Sequence, residues 1–136
     1  MNSSIWGPHS WYFLHIVSFH YPINPSKQDK INYKKFYDSI QNILPCKKCN
    51  LHYSQLLKKF PIQLNSRLDL IKWLINIHNE VNKSINKKIL SFNDIENIYN
   101  NQFNYSIKNN ESLNNQNLSI LLFFILILLL LIYLKY

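Results

Sequence analysis

Cys46 and Cys49 are the only two cysteines of the chain, and they stand together in Pro45-Cys46-Lys47-Lys48-Cys49. Two thiols one helical turn apart can close a short disulfide and reopen it by exchange. A helix opening at Cys46 would set its sulfur beside unpaired backbone N–H groups and the positive end of the helix dipole. Lys47 and Lys48 add charge of the same sign, so a thiolate there is stabilised. The competing chemistry is a structural zinc site, with His52 near enough to serve as a ligand. Zinc asks for four nitrogen or sulfur ligands at recognisable spacing, and no second CxxC or HxxxH pair completes such a set. No basic segment followed by an apolar core and a small-residue cleavage site opens the sequence, so the expected compartment is cytosol-like. There a close cysteine pair is redox-active or metal-binding more often than structural.

Two further clusters carry groups able to hold a planar ligand. Trp6, Gly7, Pro8, Trp11 and His15 gather indole and imidazole rings, with Trp11 and His15 four residues apart on one helical face. His78, Asn79, Val81 and Asn82 form the second, in which His78 and Asn82 share a face. Polar groups inside an apolar helix need partners. Either a buried heterocycle or an internal hydrogen-bond network would supply them, and the residues alone leave both open. Gly7 is the only glycine. Glycine-built phosphate loops, the P-loop and the dinucleotide fingerprint among them, are therefore excluded.

The elements that must position these groups are helical. Pro8 suits the first position of a helix carrying Trp11, Leu14, His15 and Ser18 on one side, ended by Tyr21, Pro22 and Pro25. A second helix, about 27–43, shows Ile31, Phe36, Ile40 and Ile43 before Pro45. The third opens at Cys46 and turns Cys49, Tyr53, Leu56, Leu57 and Phe60 inward before Pro61. Ser66 and Asp69 make a capping box for a fourth, with Leu70, Trp73, Leu74, Ile77, His78 and Val81 inward, running to about Lys83. Ser91 and Asp94 cap a short fifth with Ile95, Ile98 and Tyr99 as its stripe. No sustained alternation of period two occurs, so the expected fold is all-α: a four-helix bundle plus a short fifth helix, followed by a C-terminal transmembrane helix.

That last expectation rests on residues 118–134, apolar except for Ser119 and Tyr133. At 1.5 Å per residue, roughly 17 residues are just long enough to cross the hydrocarbon core. Residues 104–117, rich in Asn and Ser, read as a linker, leaving 1–103 as one soluble domain. The lysines before the span and only Lys135 and Tyr136 after it place that domain on the cytoplasmic side. The net charge is +8, but the lysines come as scattered doublets rather than as a basic arm. Nucleic acid is therefore not the expected partner, although a basic protein docking on nucleic acid or anionic lipid stays as a competing reading.

Taken in order, Trp6-Gly7-Pro8-x-x-Trp11-x-x-x-His15, Tyr21-Pro22, Pro45-Cys46-x-x-Cys49, and Trp73 with His78-Asn79-x-Val81-Asn82 resemble the Erv/ALR family of FAD-linked sulfhydryl oxidases. The resemblance spans about residues 5 to 92. It implies a helical bundle, often a homodimer, with FAD against the CxxC disulfide and oxygen as the final acceptor, reduced to peroxide. By the same resemblance Cys49 is the sulfur beside the flavin and Cys46 the one attacked by substrate. Gly7, Trp11, His15, His20, His78, Asn79, Val81, Asn82 and Lys87 become FAD contacts. Pro8 stands where many cellular relatives carry arginine, and the segment after Lys88 is longer than theirs. Those relatives also have a further shuttle cysteine pair that this chain lacks. Electrons must then come directly from a separate dithiol protein, such as a thioredoxin-like or small CxxC carrier. In this the chain is similar to the minimal oxidases of large cytoplasmic DNA viruses, which implies a virion membrane or an internal host membrane.

Overall fold

The computed structural model describes residues 3–100, 120, 122–125 and 127, and the chain divides into two units, Met1–Asn100 and Asn101–Tyr136. Among the described residues of the first unit all regular structure is helical: α1 (Ser3–Phe19), α2 (Lys27–Ile43), α3 (Lys47–Lys59), α4 (Arg67–Ser84) and the short α5 (Phe92–Ile95), which runs on as a π-helical turn, Glu96–Asn100. Serine side chains begin three of them. Ser26 and Ser91 form complete capping boxes with Asp29 and Asp94, and Ser66 accepts from the Asp69 N–H.

The central element is α4. Leu70, Trp73, Leu74 and Ile77 face a core shared with Leu14 of α1, Tyr21, Tyr37 and Ile40 of α2, and Tyr53 and Leu56 of α3. Its opposite side buries Ile71 and Ile75 against Ile95 of α5. A helix covered on two sides must be apolar around most of its circumference, as this one is. The large aromatics of the core are tied by their polar tips to backbone carbonyls of other segments. Tyr37 Oη donates to Leu14, Tyr53 Oη to Tyr37, Tyr21 Oη to Leu64 and Trp73 Nε1 to Phe60, at 2.8–3.2 Å. Each bond satisfies a buried polar atom and fixes one helix relative to the next.

Two expectations about the elements need correction. Pro8 does not open α1 but lies inside it, the helix starting at Ser3, five residues earlier. As the sixth residue of the helix Pro8 lies past the four unpaired N–H groups, so it deletes one ladder hydrogen bond, close to the helix start. On α2, Ile43 is 70% exposed and Ile31 38% exposed, whereas Tyr37 is fully buried and Tyr33 and Phe36 pack on the core. The inward stripe is aromatic and phased on Tyr33, Tyr37, Ile40 and Leu44. Of the fifth helix's expected stripe, Ile95 is buried and Ile98 is exposed.

The linker (104–117) and most of the apolar span (118–134) lie outside the described residues. Those of the span that are described are helical and exposed, and among the described residues no helix is long and apolar enough to cross a membrane.

Candidate active site

Leu44 leaves α2 in an extended conformation, and Pro45 carries the chain to Cys46, whose own extended backbone makes it the N-cap of α3. The Cys49 N–H donates to Cys46 Sγ at 3.2 Å, so sulfur occupies the capping place usually held by a hydroxyl or carboxylate. Cys46 and Cys49 are joined as a disulfide across a Cα separation of 5.2 Å. The zinc reading needed both as thiolates, and the disulfide leaves neither free to ligate a metal.

The disulfide opens into a cleft of about 990 Å3, at the upper end of the range typical of ligand sites, about 300–1,000 Å3. Trp6, Gly7 and Trp11 line it from α1, Leu44 from the turn after α2, His52 and Tyr53 from α3, and His78, Val81 and Asn82 from α4. Lys87, Lys88 and Leu90 line it from the following loop. Within it the Trp11 and His78 rings stack at 4.0 Å between centroids, 7° from parallel.

Behind that stack His15 is fully buried, its Nε2 3.0 Å from His78 Nδ1, so one imidazole donates and the other accepts. Burial lowers the His15 pKa to about 3, with His78 adding to the effect. Burial likewise lowers His78 to about 4, helped by the Lys87 charge. Both rings are neutral at pH 7, and one shared proton orders the pair. In the cleft lining Trp6 Nε1 is a buried donor with no partner among the described residues.

The loop after α4 is shaped by its backbone. Asn86 has φ of 54°, in the left-handed region that asparagine tolerates. Lys87 N–H then reaches Asn82 O at 2.9 Å and Asn86 N–H reaches Lys83 O at 3.3 Å. This double closure turns the chain back over the end of α4 and brings Lys87 to the cleft. Asn79 holds the far side of the loop with both ends of its carboxamide, donating to Leu90 O at 2.8 Å and accepting from Leu90 N–H at 2.9 Å. Asn82 donates to Lys88 O at 3.2 Å.

Of the residues singled out in the sequence, Cys46, Cys49, Gly7, Trp11, His78, Val81, Asn82 and Lys87 meet around the cleft. His15 stands one layer behind, reaching it through His78. Asn79 is turned onto the loop, and exposed His20, whose Nδ1 lies 3.1 Å from Ile16 O, is not in the lining. Sequence reasoning put Trp6 in the first aromatic cluster without naming it an FAD contact, and did not assign Lys88 or Leu90 to the site. Trp6 could have been found from its place in the Trp6-Gly7-Pro8 run. Leu90 could not, because only the fold brings it back to Asn79.

The sequence profile of the Erv1/Alr family matches residues 8–115. A probable FAD-linked sulfhydryl oxidase of Acanthamoeba polyphaga mimivirus is 43% identical over 95 residues, covering 68% of this chain and 66% of the relative. An FAD-linked sulfhydryl oxidase of African swine fever virus is 38% identical over 100 residues, covering 69% and 79%. The chain thus spans just under two thirds of the mimivirus protein and more of the swine fever one. Among solved structures, the FAD-binding domain of Erv1 from Saccharomyces cerevisiae superposes with a TM-score of 0.69 at 31% identity, over 73% of this chain and 94% of that one. The yeast Erv1 core gives the same score at 30% identity, over 73% and 84%. With a matching profile over most of its length, the same helical architecture, and its one disulfide at the mouth of an aromatic cleft, the chain belongs to the Erv1/Alr family.

Proposed function

We propose that the protein is an FAD-linked sulfhydryl oxidase that forms disulfides in partner proteins. The observation that carries this reading is the Cys46–Cys49 disulfide opening into the same cleft as the Trp11–His78 stack. The residues present fit the cofactor. Stacked rings offer a flat aromatic surface, and Trp6 Nε1 is a buried donor awaiting a partner. Asn82 sits beside them, and Lys87 and Lys88 can neutralise a pyrophosphate. FAD, when bound, supplies the two-electron acceptor that drains the reduced cysteine pair toward oxygen.

The chain's own sulfurs do the exchange. A substrate thiolate attacks Cys46 Sγ, forming a mixed disulfide while the Cys46–Cys49 bond breaks and Cys49 leaves as thiolate. The second substrate thiolate then attacks the substrate sulfur of that mixed disulfide, and Cys46 leaves in turn. The substrate has lost two electrons, which now reside in the Cys46 and Cys49 thiols. Cys46 leaves as an anion at the N-terminus of α3, within reach of the Cys49 N–H, which favours the second displacement.

Placement in the cell is part of the same proposal. Residues 118–134 anchor the protein in a virion or internal host membrane, residues 104–117 act as tether, and domain 1–103 faces the cytoplasm as a homodimer. It takes electrons from a small CxxC carrier. The likeness to viral enzymes and the apolar composition of the terminal segment support this. The full chain, purified in a mild non-ionic detergent, should be yellow and consume oxygen when given dithiothreitol. A colourless, folded preparation that takes up no oxygen would end the reading.

A further inference from the structure

From Ser39 to Leu68 the chain contains no aspartate or glutamate, yet carries Lys47, Lys48, Lys58, Lys59 and Arg67. That stretch includes the whole of α3. Elsewhere the acidic groups are taken up locally: Asp38 pairs with Lys34, Glu80 with Lys83 and Lys59, and Asp94 with Lys88. Lys47, Lys48 and Lys58 are exposed and enter no ion pair among the described residues. On the helix Lys47 and Lys58 fall on one side, eleven residues apart, while Leu51, 63% exposed, belongs to the lining of the cleft. Ile43, three residues before Cys46, is 70% exposed. The disulfide therefore has exposed Ile43 three residues before it and the unneutralised Lys47 and Lys48 between its two cysteines.

We propose that the cationic N-terminal turn of α3 is the docking surface for the electron donor, and that the donor is a small acidic protein carrying its dithiol beside an apolar patch ringed with carboxylates. The inference rests on the sulfhydryl oxidase reading above and names the substrate class for it. Complementary charge selects the occupant: a cationic helix with no carboxylate of its own repels basic thiol proteins and draws acidic ones toward the disulfide. Redox encounters bury little surface, so long-range attraction rather than contact area sets how often a donor arrives. Ile43, 70% exposed and three residues before Cys46, gives the arriving protein an apolar contact.

The test uses the full chain in non-ionic detergent and three donors: dithiothreitol, a CxxC peptide flanked by four glutamates, and the same peptide flanked by four lysines. At low salt kcat/KM for the acidic peptide should exceed that for the basic one by about tenfold. Raising ionic strength to about 0.2 M should shrink the ratio several-fold. In the double variant K47E/K58E the ratio should fall to one or below, while K72E, on α4, keeps it. Because both peptides are measured on one preparation, any change at the sulfurs cancels from the ratio. Equal use of the two peptides, or a preference that survives K47E/K58E, overturns the proposal. So does binding of the lysine face to phosphatidylserine vesicles without any peptide preference, which would make it a lipid surface. Absence of turnover with dithiothreitol would instead count against the oxidase reading itself.

Discussion

The most constrained residues are the two imidazoles behind the cleft. His15 and His78 share one hydrogen bond at 3.0 Å, and both have pKa values lowered by burial, to about 3 and about 4. In the unfolded chain each would titrate near 6.5. Above that pH both states hold neutral rings and the pair adds no pH dependence. Below it the unfolded chain takes up protons that the folded one refuses. Stability then falls, by about 1.4 kcal/mol per pH unit for each histidine at the steepest, until the folded values are reached. Urea midpoints measured between pH 7 and pH 5 should drop accordingly, and H78N should flatten the profile; a profile equally steep in the variant would show that other groups cause it. The sulfurs yield a separate expectation: C46S or C49S should abolish dithiothreitol-driven oxygen uptake while FAD stays bound, read from the flavin absorbance of the variant. The pairs Cys46 with Cys49 and Trp11 with His15 were legible because spacings of three and four place side chains on one helical face, whereas their meeting with His78 at one site was implied only by the family resemblance. Asn79 and His20 were harder to place. A polar residue on a helix can face a ligand or a returning loop, and nothing local in the sequence says which.

At the scale of elements, the site depends on how α4 ends. The left-handed turn at Asn86 and the two carboxamides of Asn79 and Asn82 fold the 85–90 segment against the helix, presenting Lys87 and Lys88 to the cleft. Asn79→Ala deletes both bonds to Leu90, leaving a part-buried N–H and C=O unpaired at a cost of about 1–3 kcal/mol. Amide exchange at Leu90 should quicken, and FAD should bind more weakly although Asn79 does not line the cleft. Unchanged Leu90 exchange would show that the loop is held by something else. The turn was nearly legible: in a chain with one glycine, asparagine is the natural residue for a left-handed C-terminal closure. What misled on α2 was chemistry rather than period. Ile31 and Ile43 look like core residues by hydropathy, but the interior selects Tyr33 and Tyr37, and Tyr37 supplies a hydroxyl that bonds the Leu14 carbonyl as well as an apolar ring. For α1, proline was read as a start because that is its most frequent helical place. The helix tolerates it a turn further in.

For the whole molecule, the question is how a redox domain with a net positive chain is held near its donors. The terminal segment from Leu118 to Leu134 contains no charge and the only cation beyond it is Lys135, whereas the chain ahead of it is rich in lysine. If that segment spans a bilayer, the reaction is confined to one face of a membrane, and a carrier dithiol needs only to meet the α3 surface there. Placing arginine at Phe124 and at Leu128 adds about 2.5–3.5 kcal/mol each to the cost of insertion near the helix centre. The full chain should therefore remain in the membrane pellet after alkaline carbonate extraction, and F124R/L128R should appear in the supernatant. With the cytoplasmic orientation proposed above, protease added outside intact internal vesicles should degrade the domain that holds Cys46 and Cys49. A full chain released by carbonate, or a domain shielded from protease until the vesicles are opened, would break the link between the apolar terminus and the cytoplasmic placement of the disulfide.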